Sequence, residues 1–363
     1  MKAVRYQAPG DFAVIDVPMP PVGPLDVLIK VHQSGVCGTD VHLHHGTYIG
    51  VYPLTPGHET IGEIEEVGTE VTRFQPGQRV TVNPNIYCGH CEYCLAGQLV
   101  RCANTEGMGV HRPGFFAEYA RADHRQVFSV DGLESDTAVF AEPTACAMHG
   151  LETLGQRPGG SALVTGAGPT GLLLAQLIGS GGATSVTVGD IVPFKLETAA
   201  RLGVDSTVSM TKDPAQNIDR LRAASPTGDG YDVVVEATGT TAVGNICVPL
   251  TRNGGTVLVY GVTRPDERLS ISPFELFRRE ITIKGSYAEM TSFAAAISAL
   301  RTGRARTDGI ISHKFPLDDY GKALEALASD PMRTKSSLTS DRRSRSGLTK
   351  EGRWRQRPRR CSG

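Results

Sequence analysis

No stretch of this chain approaches the roughly 20-residue apolar length that a membrane-spanning helix needs. The opening residues, MKAVRYQAPGDF, lack the apolar core of a secretory leader, so a cytoplasmic protein is expected. Nor do the cysteines look like a spread disulfide framework, since half of them sit too close together. Of eight cysteines, four crowd between Cys88 and Cys102, and in a reducing compartment such a cluster points to a metal rather than to cross-links. No internal repeat is evident. What is present is ordinary for a globular protein, with 40% apolar and 21% charged residues. A length of 363 residues favours two domains over one.

The formal net charge is only −1, but it is unevenly divided. Residues 332–363 hold eleven Lys/Arg against two acids, Asp341 and Glu351, a net of +9 that leaves the rest of the chain near −10. An acidic body argues against a nucleic-acid-binding core. The basic end has almost no apolar periodicity, so residues 332–363 are expected to form a disordered tail.

Short β-like runs, such as 27–31 and 62–67, are punctuated by Gly23-Pro24, Pro56-Gly57, Pro76-Gly77 and Pro113-Gly114. This pattern predicts an irregular, mostly β domain over residues 1–148. Residues 149–285 read as a second domain of alternating strands and helices. Strands are predicted at 162–165, 185–189, 231–236, 255–260 and 281–284, with helices at 169–178 and 195–202. Their apolar runs suit a parallel sheet covered on both faces, an α/β arrangement. A helix near 292–300, a strand near 309–315 and a helix near 317–327 follow. The segment 286–331 is expected to return to the first domain.

Cys88-x-x-Cys91-x-x-Cys94-x7-Cys102 can bring four thiolates to one tetrahedral ion. Every position is sulfur and none is left for water, so the site reads as structural. Cys37 and His58-Glu59 form a second group. Alone, His58 could be a core histidine and Cys37 a small buried side chain. Together, soft and hard donors leave a coordination position open for a substrate oxygen. Glu142, an acid in the apolar run Phe140-Ala-Glu-Pro143, is a candidate fourth ligand or the holder of a metal-bound water.

Gly166-x-Gly168-x-x-Gly171 ends a β-like run and opens a predicted helix with Pro169 and Thr170, whose N-terminus can take a pyrophosphate. Asp190 ends the next strand, 19 residues beyond Gly171. A carboxylate there accepts from both ribose hydroxyls and repels a 2′-phosphate, and no arginine stands beside it, which points to NAD rather than NADP. Lys195 either reaches the ribose or is a solvated first-turn lysine.

Taken together, these residues resemble those of the zinc-containing medium-chain dehydrogenases, most closely the polyol branch with its sorbitol, xylitol and arabinitol dehydrogenases. The resemblance runs from residue 1 to about 331, and its most specific stretch is Gly57-His58-Glu59-x-x-Gly62-x5-Gly68-x-x-Val71. It implies a mostly β GroES-like catalytic domain beside a Rossmann domain with a doubly wound parallel sheet. It implies two zinc ions per chain and NAD as cofactor. Cys37, His58 and Glu59 become ligands of a catalytic zinc, with Glu142 at the variable fourth position, while Cys88, Cys91, Cys94 and Cys102 hold a structural zinc. Thr39 and His42 alone read as a loop hydroxyl and a solvent histidine, but they fall where the family keeps its proton relay. A homo-oligomer, dimer or tetramer, is implied as well.

Two departures from the family pattern bear on substrate and fold. Animal sorbitol dehydrogenases carry an Arg-Tyr pair soon after the strand matched by 281–284, whereas this chain has Gly285-Ser-Tyr-Ala-Glu289. A guanidinium clamp on polyol hydroxyls is therefore not expected, and a pentitol such as arabinitol is favoured over sorbitol as substrate. Family members also end on a short apolar strand joining the catalytic domain. Here Lys335 runs into Ser-Ser-Leu-Thr-Ser and then an Arg/Ser-rich run, so no such strand is expected. The expected reaction is hydride transfer from a secondary hydroxyl of a small polyol to NAD+, with no nucleic-acid or membrane partner. Competing readings are a threonine- or butanediol-type dehydrogenase, a zinc-stabilised nucleic-acid binder, and an inactive variant with an aberrant C-terminus.

Overall fold

The computed structural model describes residues 1–155, 157–330 and 334–340. The chain starts with an antiparallel hairpin of β1 (Lys2–Ala8) and β2 (Asp11–Asp16). Next come β3 (Asp26–Val36), α1 (Gly38–His44), β4 (Glu59–Val67), β5 (Arg79–Val82) and β6 (Asn85–Ile86). They are followed by α2 (Glu92–Leu95), β7 (Glu106–Gly107), β8 (Tyr119–Asp123), β9 (Val127–Ser129), α3 (Ser135–Ala138) and α4 (Ala141–Leu154). Strands such as β3 read Val-Leu-Ile with β-branched residues at the centre, and Val27, Ile29 and Val80 are fully buried in one apolar cluster.

Beyond α4 the texture becomes regular. The order is β10 (Ser161–Thr165), α5 (Pro169–Ser180), β11 (Ser185–Asp190), α6 (Pro193–Arg201), β12 (Ser206–Ser209), α7 (Pro214–Ala223) and β13 (Tyr231–Glu236). It continues with α8 (Thr241–Leu250), β14 (Thr251–Val259), α9 (Pro273–Arg279) and β15 (Thr282–Gly285). The six strands pair in parallel in the order β12-β11-β10-β13-β14-β15. Val164, Val188, Val235 and Leu258 are fully buried, as a sheet with helices on both faces requires. The order reverses between β10 and β13, so a crevice opens beyond their carboxyl ends.

After β15 come α10 (Phe293–Arg301), β16 (Ile311–Pro316), α11 (Tyr320–Ser329) and β17 (Lys335–Thr339). The last two strands join the first sheet, whose order is β16-β17-β3-β4-β5-β9 with β8 also on β3. Among the described residues, no helix is long and apolar enough to cross a membrane.

Strand β17 corrects the sequence expectation of a disordered tail from residue 332, as far as residue 340. It is paired on both sides, parallel to β16 and antiparallel to β3, with Ser336 opposite Val36 and Leu338 opposite Ser34. Its composition gives no apolar alternation, yet Ser336 and Ser337 are fully buried. Two ladders satisfy its backbone, and its side chains find buried partners. The Gln33 amide donates to Ser337 Oγ at 3.0 Å. Lys335 meets Glu59, and Leu338 packs with Val4, Val36, Phe116 and Tyr320. The rest of the predicted tail, residues 341–363, lies outside the described residues.

Candidate active site

The loop between β3 and β4 presents the first group. Cys37 is extended (φ −113°, ψ 164°) and sits at the N-cap of α1. Its backbone N–H donates to Asp40 Oδ2 at 2.8 Å, a capping arrangement that fixes where the thiol points. His58 and Glu59 lie at the entry of β4, both almost wholly buried. The ligand atoms of Cys37, His58 and Glu59 lie within 4.8 Å of one another. His58 Nδ1 is 3.9 Å from Asp40 Oδ1, and neither atom has a hydrogen-bond partner. Burial opposes charge on the imidazole, but a hydrogen bond to Cys37 and the charges of Asp40, Cys37 and Glu142 outweigh it and raise its pKa well above the usual value. The pocket thus favours a cation, and one thiol, one imidazole and one carboxylate are a donor set that suits zinc with a position left open.

Glu142 comes from the first turn of α4. It lines the same cavity as the trio but does not join the group of mutually close ligand atoms. Cys146, one turn on, donates to Glu142 Oε1 at 3.2 Å. Burial raises the Glu142 carboxyl, partly offset by the nearby His58.

Thr39 lines the cavity with its hydroxyl 3.9 Å from Cys37 Sγ. His42 lies outside it, with Nδ1 2.9 Å from Thr47 Oγ1. No hydrogen bond joins Thr39 to His42. Across the cavity lies the segment after β15. There Glu289 is fully buried, its carboxyl pushed up to about 7 by burial and by the charge of Glu142. Asn85 ties this segment down by donating to the Glu289 carbonyl at 3.0 Å.

The glycine motif stands at the carboxyl end of β10. Gly168 caps α5, with Pro169 in its first turn. A Cβ on Gly171 would fall 1.9 Å from the Gly166 carbonyl oxygen, so only glycine allows helix and strand to approach this closely. Asp190 at the end of β11 accepts from Ala167 N–H at 2.7 Å and from Val192 N–H at 2.8 Å, one bond to each oxygen. Lys195 sits half-buried in the first turn of α6. Thr170 lines the cavity of about 220 Å³ that also holds Cys37, His58, Glu59 and Glu142. The metal-type trio and the dinucleotide-type helix start therefore share one cleft.

The second cysteine group is apart from this cavity. Cys88, Cys91, Cys94 and Cys102 bring their sulfurs within 4.8 Å of one another. Backbone N–H groups already aim at them, from Cys88 to Cys102 Sγ at 3.3 Å and from Cys91 to Cys88 Sγ at 3.4 Å. The N–H groups of His90 and Cys91 bring the Cys88 thiol down to about 6, which favours the thiolate a metal requires. Gly89 turns the loop at φ +78°. Cys91→Ser should lower the melting temperature by several degrees and raise amide exchange across 88–102, because metal-ligand energy is folding energy there. Thermal melting and hydrogen exchange check this, and wild-type protection in the variant would rule out a structural metal.

Several residues of the site were not singled out in the sequence. Asp40 had a signal, an acid three residues after the N-cap Cys37. Cys146 had a weaker one, four residues after Glu142 on one helix. Lys335 had none, since nothing in Lys-Ser-Ser-Leu-Thr marks a buried cation.

Known proteins match this architecture. The alcohol dehydrogenase GroES-like domain matches residues 23–132, and the zinc-binding dehydrogenase domain matches residues 169–302. D-arabinitol dehydrogenase 1 of Uromyces fabae is 39% identical over 331 residues, covering 91% of this chain and 94% of that protein. D-altritol 5-dehydrogenase of Agrobacterium fabrum is 34% identical over 348 residues, 94% of this chain and all of the other. A solved zinc-binding dehydrogenase of Sinorhizobium meliloti 1021, bound to NADP, superposes with a TM-score of 0.87 at 34% identity, covering 93% of this chain and 98% of that one. With two family domains in sequence order and relatives aligned along nearly their whole length, the chain belongs to the zinc-containing medium-chain alcohol and polyol dehydrogenases.

Proposed function

We propose that this protein oxidises a secondary hydroxyl of a small polyol, of the pentitol class, to the ketone with NAD+, yielding NADH and a proton. One observation carries the reading: Cys37, His58, Glu59 and Thr170 line a single cleft. A zinc ion held by Cys37, His58 and Glu59, with Glu142 beside it, would polarise the substrate oxygen and lower the pKa of the hydroxyl. NAD+ on the α5 N-terminus would supply the hydride acceptor. The chain's own groups do the remainder. Thr39 takes up the hydroxyl proton as it gives up its own toward His42, and the partly exposed His42 releases a proton to solvent. The two are not hydrogen-bonded here, and such contacts tighten only with substrate in place. Polyol relatives, and Gly285-Ser-Tyr-Ala-Glu289 where sorbitol dehydrogenases carry an Arg-Tyr pair, support a pentitol. A panel of polyols with the zinc-loaded protein, followed by NADH absorbance, tests the reading, and no turnover of any pentitol would refute it. A cytoplasmic homo-oligomer belongs to the same proposal, and sizing by light scattering tests its assembly.

Cofactor choice rests on Asp190. With both oxygens fixed by backbone N–H bonds, the carboxylate cannot swing away from a 2′-phosphate. Asp190→Ser should shift preference toward NADP by ~1–3 kcal/mol. The measurement is the ratio of kcat/KM for the two cofactors. Equal efficiency in the unaltered protein would remove Asp190 as the discriminator.

A further inference from the structure

Lys335 touches neither the proton path nor the cofactor groove, yet its ammonium sits against Glu59 of the metal-type trio. It is 4% exposed, and Nζ donates to Glu59 Oε1 at 2.5 Å. The other carboxylate oxygen, Oε2, is buried with no hydrogen-bond partner. Gly35 of β3 makes room for this carboxylate, since a Cβ there would fall 2.0 Å from Oε2 and 3.1 Å from the Lys335 side chain. A buried ion pair is weak as a stabiliser against an apolar pair of similar size, so its place beside three metal-type ligands calls for another role.

A carboxylate can close on a metal with one oxygen or with both. An oxygen already bound to an ammonium is withheld from that competition. We propose that Lys335 is a positioning residue that reserves Oε1 of Glu59, so that Glu59 offers a metal at Cys37–His58–Glu59 only Oε2 and a coordination position stays open for the substrate oxygen. The assignment rests on the reading of this trio as a catalytic zinc centre. A mere pin between β17 and β4 would behave differently when removed: metal binding and folding would weaken together, and the coordination would not change.

The test uses the full chain with cobalt(II) exchanged for zinc, and the His58→Ala chain supplies the spectrum of the four-thiolate site alone. In Lys335→Met, metal affinity measured against a competing chelator should hold or tighten. The d–d bands of the catalytic site should weaken as Glu59 closes with both oxygens, and kcat/KM should fall about 10–100-fold, the usual scale for groups that orient metal ligands. Lys335→Arg, which keeps a cationic donor, should restore the bands. Lys335→Val, better suited to a strand, is read in the same way if the methionine chain does not fold. Unchanged bands in the neutral variants, whether with looser metal or with full turnover, would overturn the assignment. A wild-type chain that takes up no metal at the trio would instead refute the catalytic zinc centre itself.

Discussion

A chain that stops after Thr334 should melt on the order of 10 °C below one that stops after Ser340. The five residues of β17 fill the slot between β16 and β3, so their loss leaves two strands with unpaired N–H and C=O groups. It also strips Glu59 of its ammonium, and breaking a buried pair by removing one partner costs about 3–5 kcal/mol. At roughly 2–4 °C per kcal/mol for a domain of this size, the pair alone accounts for most of the shift. This reverses what the composition of the segment suggests. Differential scanning calorimetry of the two chains settles it, and equal melting temperatures would mean that β17 adds nothing.

The second large effect is on turnover. His58→Ala should reduce polyol oxidation by at least about 10³-fold, because Lewis-acid stabilisation is worth several kcal/mol and each 1.36 kcal/mol is tenfold in rate. Stability should hardly change. His58 makes no hydrogen bond through Nδ1, so its replacement breaks no bond there. Metal analysis should show one zinc per chain lost while the Cys88–Cys102 site keeps its own. Wild-type turnover with one zinc missing would refute the role of the trio.

The sequence reached most of this architecture because each piece carries its own local signal. Strands 231–236 and 185–189 are apolar runs bounded by turns, and the structure places β13 and β11 there, β11 extending one residue to Asp190. The predicted helix at 317–327 begins instead as a short 3₁₀ turn, Leu317–Asp319, before α11. Strand β12 reads Ser-Thr-Val-Ser and was not predicted, since one valine in four gives no alternation to detect. Its pairing is imposed by β11 beside it. Strand β17 was missed for the same reason on a larger scale. The burial of Lys335, Ser336 and Ser337 depends on Glu59, Gln33 and the β3 ladder, all distant in sequence, as well as on the nearby β16 ladder. Spacing marked both cysteine clusters and the glycine motif. It could not show that Thr170 and the trio share a cleft, because that follows from how the two sheets are set against each other.

Strand β17 also sets the order of events on the ribosome. Its antiparallel partner β3 is made within the first 36 residues, while β17 begins only at residue 335. At about 5–20 residues per second, the nascent chain carries β3 without that neighbour for roughly 15–60 s. The parallel sheet of β10–β15 is complete in sequence by residue 285 and is free to form during that wait. Lys335 emerges long after Cys37, His58 and Glu59, so the site reaches its full charge balance only late in synthesis. Until then the exposed edge of β3 is where a holdase would bind and where two unfinished chains would stick together.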